Sequence, residues 1–160
     1  MTFYETLWFK EHDQLKDEIV TFFDNDKFKL KWKSKTPSTV GNITIQNHLV
    51  EYFKDTSLLN WVDFDNNIVD MWLNKYDQDH FQEPHNHISP NGKQVVWSFC
   101  YFVDVPDESL FFFIDGNEQV YINEKSGMFV LFKPDKYHGV DMNPSNKQRR
   151  TIAGNVVARQ

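Results

Sequence analysis

From residue 68 to the C-terminus the chain is a series of runs rich in β-branched and aromatic residues, at 68–76, 81–87, 95–105, 110–114, 119–122, 128–132, 137–140 and 149–158. Most are too short for a helix, and their composition favours strands. Turn chemistry separates most of them: Asn91-Gly92, Asp115-Gly116-Asn117, Ser126-Gly127, Pro134-Asp135 and Asn143-Pro144-Ser145. About eight strands in succession can bury their apolar faces by packing as two antiparallel sheets face to face. The expected fold is therefore mostly β, a double-stranded β-helix of the jelly-roll, cupin-like kind. An aromatic content of 16%, with 15 Phe and 5 Trp, suits such an interior.

Two helices are expected before this core. Residues 11–23 place Leu15, Ile19, Phe22 and Phe23 at helical spacing, and Asp24-Asn25-Asp26 ends the pattern. A second helix is expected over 45–59, burying Leu49, Tyr52, Phe53 and Leu58 or Leu59. Between them KFKLKWKSK, residues 27–35, alternates five Lys against Phe28, Leu30 and Trp32. Period two predicts a strand. Its lysines suit an exposed edge guarded against further pairing, with a basic binding patch as the alternative, and Thr36-Pro37-Ser38 breaks the segment. The expected organisation is one domain over 1–160, with 1–67 as helical and edge-strand support and 68–158 as the jelly-roll core.

A net charge of −6 and a pI near 5.4 argue against a broad nucleic-acid surface. Cys100, the single cysteine, excludes an internal disulfide and suggests a reducing compartment. The N-terminus lacks a basic region followed by an apolar one, and no apolar run approaches the length of a membrane span. The expectation is a soluble, cytoplasmic protein without nucleic-acid or membrane partners. The Asn-, Lys- and Phe-rich composition hints at an AT-rich genome such as a phage's, which would place the protein in the host cytoplasm.

Chemistry concentrates in MWLNKYDQDHFQEPHNHISP, residues 71–90, around His85 and His87. On an extended segment, residues i and i+2 share a face, so both imidazoles reach one point. Neutral imidazole is the commonest protein ligand for Zn, Cu, Fe and Ni. A third candidate ligand, His138, follows His87 by 51 residues in another expected strand. His12, His48 and His80 fall outside the pattern.

In order, the second half reads His85-x-His87, WSFCYFVDVP, GMFVLFKPDKYH ending at His138, then QRRTIAGN. This resembles the Fe(II)- and 2-oxoglutarate-dependent oxygenases, and within them the small prolyl-hydroxylase-like proteins of bacteria and phages. The resemblance covers roughly 68–157. It implies iron, 2-oxoglutarate and O2, with ascorbate as an accessory, and a substrate that is a prolyl or other protein side chain or a small molecule. The family pattern is H-x-D/E, a distal His and then an Arg at the start of the last strand; Arg149 lies eleven residues past His138. The usual carboxylate ligand is replaced by His87, as in prolyl-hydroxylase-like members with H-N-H at this place. Glu83 and Asp141 are the carboxylates near enough in sequence to substitute, and both rank below His87.

A bound 2-oxo acid would need a cation for its far carboxylate, and an Arg fork suits that role better than Lys. On the last strand Arg149, Thr151, Ala153 and Asn155 share one face, while Arg150, Ile152, Gly154 and Val156 share the other. The first face is small and polar, which selects Arg149 with Thr151 as helper. Tyr101 has two open readings. Either its hydroxyl reaches the bound carboxylate, or Phe102 points inward and Tyr101 is a core aromatic. Trp72, Asn74 and Tyr76 alternate on one face of the preceding strand, with Asn74 the most informative because a buried amide needs partners. Cys100 reads as a small core residue.

Two rivals remain. A three-His cupin-type dioxygenase would use Arg149 for its substrate's own carboxylate and need no 2-oxoglutarate. A non-enzymatic jelly roll would bind metal or ligand without turnover.

Overall fold

The computed structural model describes residues 3–30, 32–89 and 92–160. In chain order these form β1 (Tyr4–Trp8), α1 (His12–Thr21), β2 (Lys29–Leu30), β3 (Pro37–Ser38), α2 (Ile43–Phe53), β4 (Asn67–Tyr76) and β5 (Gln82–His85). There follow β6 (Val95–Asp104), β7 (Phe111–Asp115), β8 (Glu118–Tyr121), β9 (Met128–Phe132), β10 (His138–Val140) and β11 (Arg149–Ala158). A seven-stranded sheet runs β1-β9-β6-β11-β4-β3-β2 and a four-stranded one β5-β10-β7-β8. Every pairing among the described residues is antiparallel. This is the expected double-stranded β-helix, and all eight expected strands are present. No helix among the described residues is long and apolar enough to cross a membrane.

Strand alternation divides the large sheet between two apolar clusters. Val69, Met71 and Leu73 of β4, Phe99, Tyr101 and Val103 of β6, and Ile152 and Val156 of β11 face the helices, meeting Ile19, Leu49 and Phe53. Tyr76, Cys100, Phe102 and Val130 face inward, where they meet Phe111 and Phe113 of the small sheet. Glycine makes one close approach feasible. A Cβ at Gly139 would lie 2.9 Å from both the Gln82 carbonyl oxygen and the Phe112 ring, so a side chain there would wedge β10 away from β5 and β7.

Three expectations change. The nine-residue lysine strand reduces to β2, which does lie at the edge of the large sheet; Lys31 is outside the described residues, as are Pro90 and, of the expected 91–92 turn, Asn91. After Trp32 the chain turns back, with Lys35 N–H on the Trp32 carbonyl at 2.8 Å and Lys35 at φ +60°. The Glu83 carboxylate holds this turn by accepting from Lys33 and Ser34 N–H at 3.2 and 3.0 Å. A tertiary partner has overridden a local alternation. The second helix starts earlier than expected, capped by the Asn42 side chain on Ile45 N–H, and ends at Phe53, although Leu58 and Leu59 remain fully buried in the turns beyond. Finally, β1 pairs with β9 and β3 with β4, adding strands where the sequence showed none.

Candidate metal centre

β5 and β10 are neighbours whose register sets His138 directly opposite His85. His87 lies two residues past the end of β5, held by its own N–H on the Pro134 carbonyl at 2.8 Å. The ring centroids are 4.3 Å apart for His85–His138, 4.8 Å for His87–His138 and 5.3 Å for His85–His87. One nitrogen of each ring lies within 4.8 Å of the other two.

Each Nδ1 is already engaged. That of His85 meets the Glu83 carbonyl at 3.0 Å, and that of His138 the Lys136 carbonyl at 3.1 Å. That of His87 meets Asn155 Oδ1 at 2.5 Å, an oxygen that also accepts from the Ser98 hydroxyl at 2.8 Å. Carbonyl oxygens only accept, so each Nδ1 carries the proton and each Nε2 keeps a free lone pair. This outer hydrogen bonding is the kind that orients metal-ligating imidazoles.

The rings are also held neutral. Burial pushes His87 down to about 4, with neighbouring His85 adding to the effect and the Asn155 bond opposing it. Burial and then the two other imidazoles hold His138 well below its ordinary range. His85 is lowered by burial against the opposing Glu83 carbonyl. Three neutral donors converging on one point can hold a divalent transition metal. Among the described residues no carboxylate joins them. Glu83 is turned to the 33–34 backbone, and Asp141 accepts from the Tyr121 hydroxyl.

The imidazoles line a cleft of about 330 Å³ with its mouth included. Trp72, Asn74, Tyr76, Cys100 and Thr151 line it too. Thr151 sits between Asn74 on β4 and Phe102 on β6. The Trp72 indole nitrogen, Asn74 Oδ1 and the Thr151 hydroxyl are buried without hydrogen-bond partners. Cys100 is a neutral thiol, pushed up to about 12 by burial.

Arg149 is fully buried behind this lining, its guanidinium carbon 5.9 Å from the Tyr76 ring and 5.5 Å from that of Phe102. Its Nη2 donates to Glu124 Oε2 at 2.8 Å, while Nε and Nη1 have no partner. Arg150 points the other way and pairs, half-buried, with Asp104 at 3.0 Å.

Tyr101 is not part of this cleft. It lies on the helix side of β6, where its hydroxyl meets His12 Nδ1 at 2.5 Å and its ring packs edge-on against Phe9. Phe102 takes the inward position. His12, which the sequence left without a role, is therefore a buried partner in the core. Glu124 and Asn155 are the polar residues that matter most beyond the expected set. Asn155 was legible as a member of the inward face of β11, whereas a lone Glu after a strand carries no such signal.

No family model matches the chain, and neither does any curated protein sequence. Solved structures do match. A Pseudomonas putida prolyl-4-hydroxylase is similar at a TM-score of 0.71 and 11% identity, over 98% of this chain and 92% of that one. A Trichoplax adhaerens prolyl hydroxylase, in complex with a hypoxia-inducible-factor peptide fragment, is similar at 0.65 and 11%, over 98% and 84%. HygX of Streptomyces hygroscopicus, with nickel, 2-oxoglutarate and hygromycin B bound, is similar at 0.66 and 9%, over 98% and 83%. The chain thus shares the double-stranded β-helix fold of the 2-oxoglutarate oxygenases.

Proposed function

We propose that the protein is an Fe(II)- and 2-oxoglutarate-dependent dioxygenase acting in the cytoplasm. In this reading it hydroxylates an aliphatic C–H of a prolyl or other protein side chain, or of a small molecule. The overall reaction converts R–H, O2 and 2-oxoglutarate to R–OH, succinate and CO2. One arrangement carries the reading: three Nε2-presenting imidazoles line a single cleft, and an Arg with two unpartnered nitrogens is buried beside Tyr76 of its lining. The shared fold supports it, as do the peptide held by one neighbour and the small molecule held by another.

His85, His87 and His138 would hold the iron, which when bound supplies the redox chemistry that activates O2. Arg149 would offer Nε and Nη1 to the far carboxylate of the diacid, with Thr151 and Asn74, which line the cleft, as polar helpers. A five-carbon diacid in the cleft would lie against lining side chains such as Trp72. Ascorbate would serve as an accessory reductant.

Anaerobic loading with Fe(II), followed by O2 and 2-oxoglutarate, should release succinate and CO2 even without a second substrate. His138→Ala should lose the iron. Iron-loaded protein that neither binds nor decarboxylates 2-oxoglutarate would return the three-His cupin-type dioxygenase or the non-enzymatic jelly roll.

A further inference from the structure

Glu124 is 2% exposed, and no sequence motif points to it. Its Oε1 accepts from the Ser109 hydroxyl at 2.8 Å; its Oε2 accepts from Leu110 N–H at 3.1 Å, Phe111 N–H at 2.8 Å and Arg149 Nη2 at 2.8 Å. The carboxylate is well satisfied, and the Arg is not. An unpartnered buried guanidinium nitrogen is costly, and Arg149 carries two of them. Here a single-point contact anchors Arg149 and leaves two nitrogens free. The same contact cancels its charge.

Cleft charges can be counted. Each imidazole spends its Nδ1 proton on a carbonyl oxygen and presents a lone pair at Nε2, and the buried pair of Arg149 and Glu124 sums to zero. We propose that Glu124 is the counter-charge that keeps this cleft electrically neutral, so that it takes up a divalent cation and a dianion as a matched pair. The inference rests on the metal and co-substrate reading above and assigns Glu124 a positioning and charge-balancing role in it. With both guests bound the sum is again zero. With one alone, two uncompensated charges sit in a poorly hydrated space. Each guest therefore raises the other's affinity beyond any direct bond between them.

This differs in sign from a purely structural role. Removing the Glu124 charge makes the cleft positive, which disfavours the cation and favours the dianion. Structural damage would weaken both together. Removing the Arg149 charge does the reverse for the cation, because three other donors still hold Glu124 in place.

The test is zinc affinity, measured by competition with a chromophoric chelator and without 2-oxoglutarate, in four proteins: wild type, Glu124→Gln, Arg149→Gln and the double variant. Affinity should fall in Glu124→Gln and rise in Arg149→Gln, each on the order of tenfold or more for a unit charge acting through a poorly hydrated interior. It should return to the wild-type value in the double variant. That variant replaces a buried ion pair by two amides, so it carries the test if Glu124→Gln does not fold, as judged by cooperative melting. Metal-free Glu124→Gln should also bind 2-oxoglutarate more tightly than metal-free wild type. Equal zinc affinity in every folded variant, or a fall in both single variants, overturns the proposal. Wild-type protein that binds no zinc sinks the metal reading and this inference together; zinc binding indifferent to charge sinks this one alone.

Discussion

The two faces of the large sheet are built from the same three strands yet differ in chemistry. On the helix side Leu73, Phe99, Tyr101 and Ile152 are fully buried, and the Tyr101 hydroxyl has its partner in His12. On the inward side Asn74 Oδ1, the Thr151 hydroxyl and two Arg149 nitrogens are buried with none. Unsatisfied buried polar groups cost free energy; Arg150 Nε is one on the helix side, and more lie on the side that also gathers three imidazoles. Both faces bury an apolar core, and only the inward one sets a group of unpartnered polar atoms beside it.

Substitutions that respect or cross this division test it. The largest stability effect should come from Phe53→Ala, which empties a fully buried site against Phe9 and Tyr101. It should cost about 3–5 kcal/mol in denaturant unfolding and leave metal stoichiometry unchanged. Inward, Arg149→Gln should weaken 2-oxoglutarate by about 2–5 kcal/mol, roughly thirty- to several-thousand-fold, read as KM or by calorimetry. Arg150→Gln, whose partner Asp104 is partly buried, should leave that value alone and cost about 1 kcal/mol of stability.

The imidazole cluster gives the inward face a pH signature. Its folded-state pKa values lie below the ordinary 6.5, so the unfolded chain binds more protons. Their contribution is fully present above about pH 6.5 and is lost as pH falls from there. For His87, at about 4 when folded, the loss by pH 4 is about 3 kcal/mol in the metal-free protein. Urea titrations at pH 7.5 and 5 should show it, and a denaturation midpoint unchanged between them would refute it. Smallest is Tyr101→Phe. It should cost about 1 kcal/mol through the lost His12 bond and leave 2-oxoglutarate affinity untouched, which separates a core tyrosine from a ligand-binding one.

Period two was readable wherever the two faces of a strand differ in polarity. On β11 it separated Arg149 from Arg150 and aligned Asn155 with the cleft. On β6 it had nothing to act on, because WSFCYFV is apolar on both faces and both are buried, so Tyr101 and Phe102 could not be phased. The lysine run failed for the opposite reason. Its alternation was plain, but the Glu83 carboxylate captured the backbone at residues 33 and 34. Glu124 was beyond reach because a buried acid is identified by its donors, and these come from Ser109, Leu110, Phe111 and Arg149.

β11 carries Asn155, which orients His87, and six residues earlier Arg149. It pairs with β4 at all ten of its positions and with β6 along most of them. At about 3.3 Å per residue, the two backbone positions stand roughly 20 Å apart on a strand braced from both sides. In the proposed reaction this strand acts as a ruler. Side chains at the cleft wall can rotate, but the backbone span from Asn155 to Arg149 cannot stretch without breaking ladders on two sides. Selection among 2-oxo diacids by carbon count would then belong to the sheet itself. Reshaping the cleft wall alone would change how fast a shorter or longer homologue enters, and not which length fits.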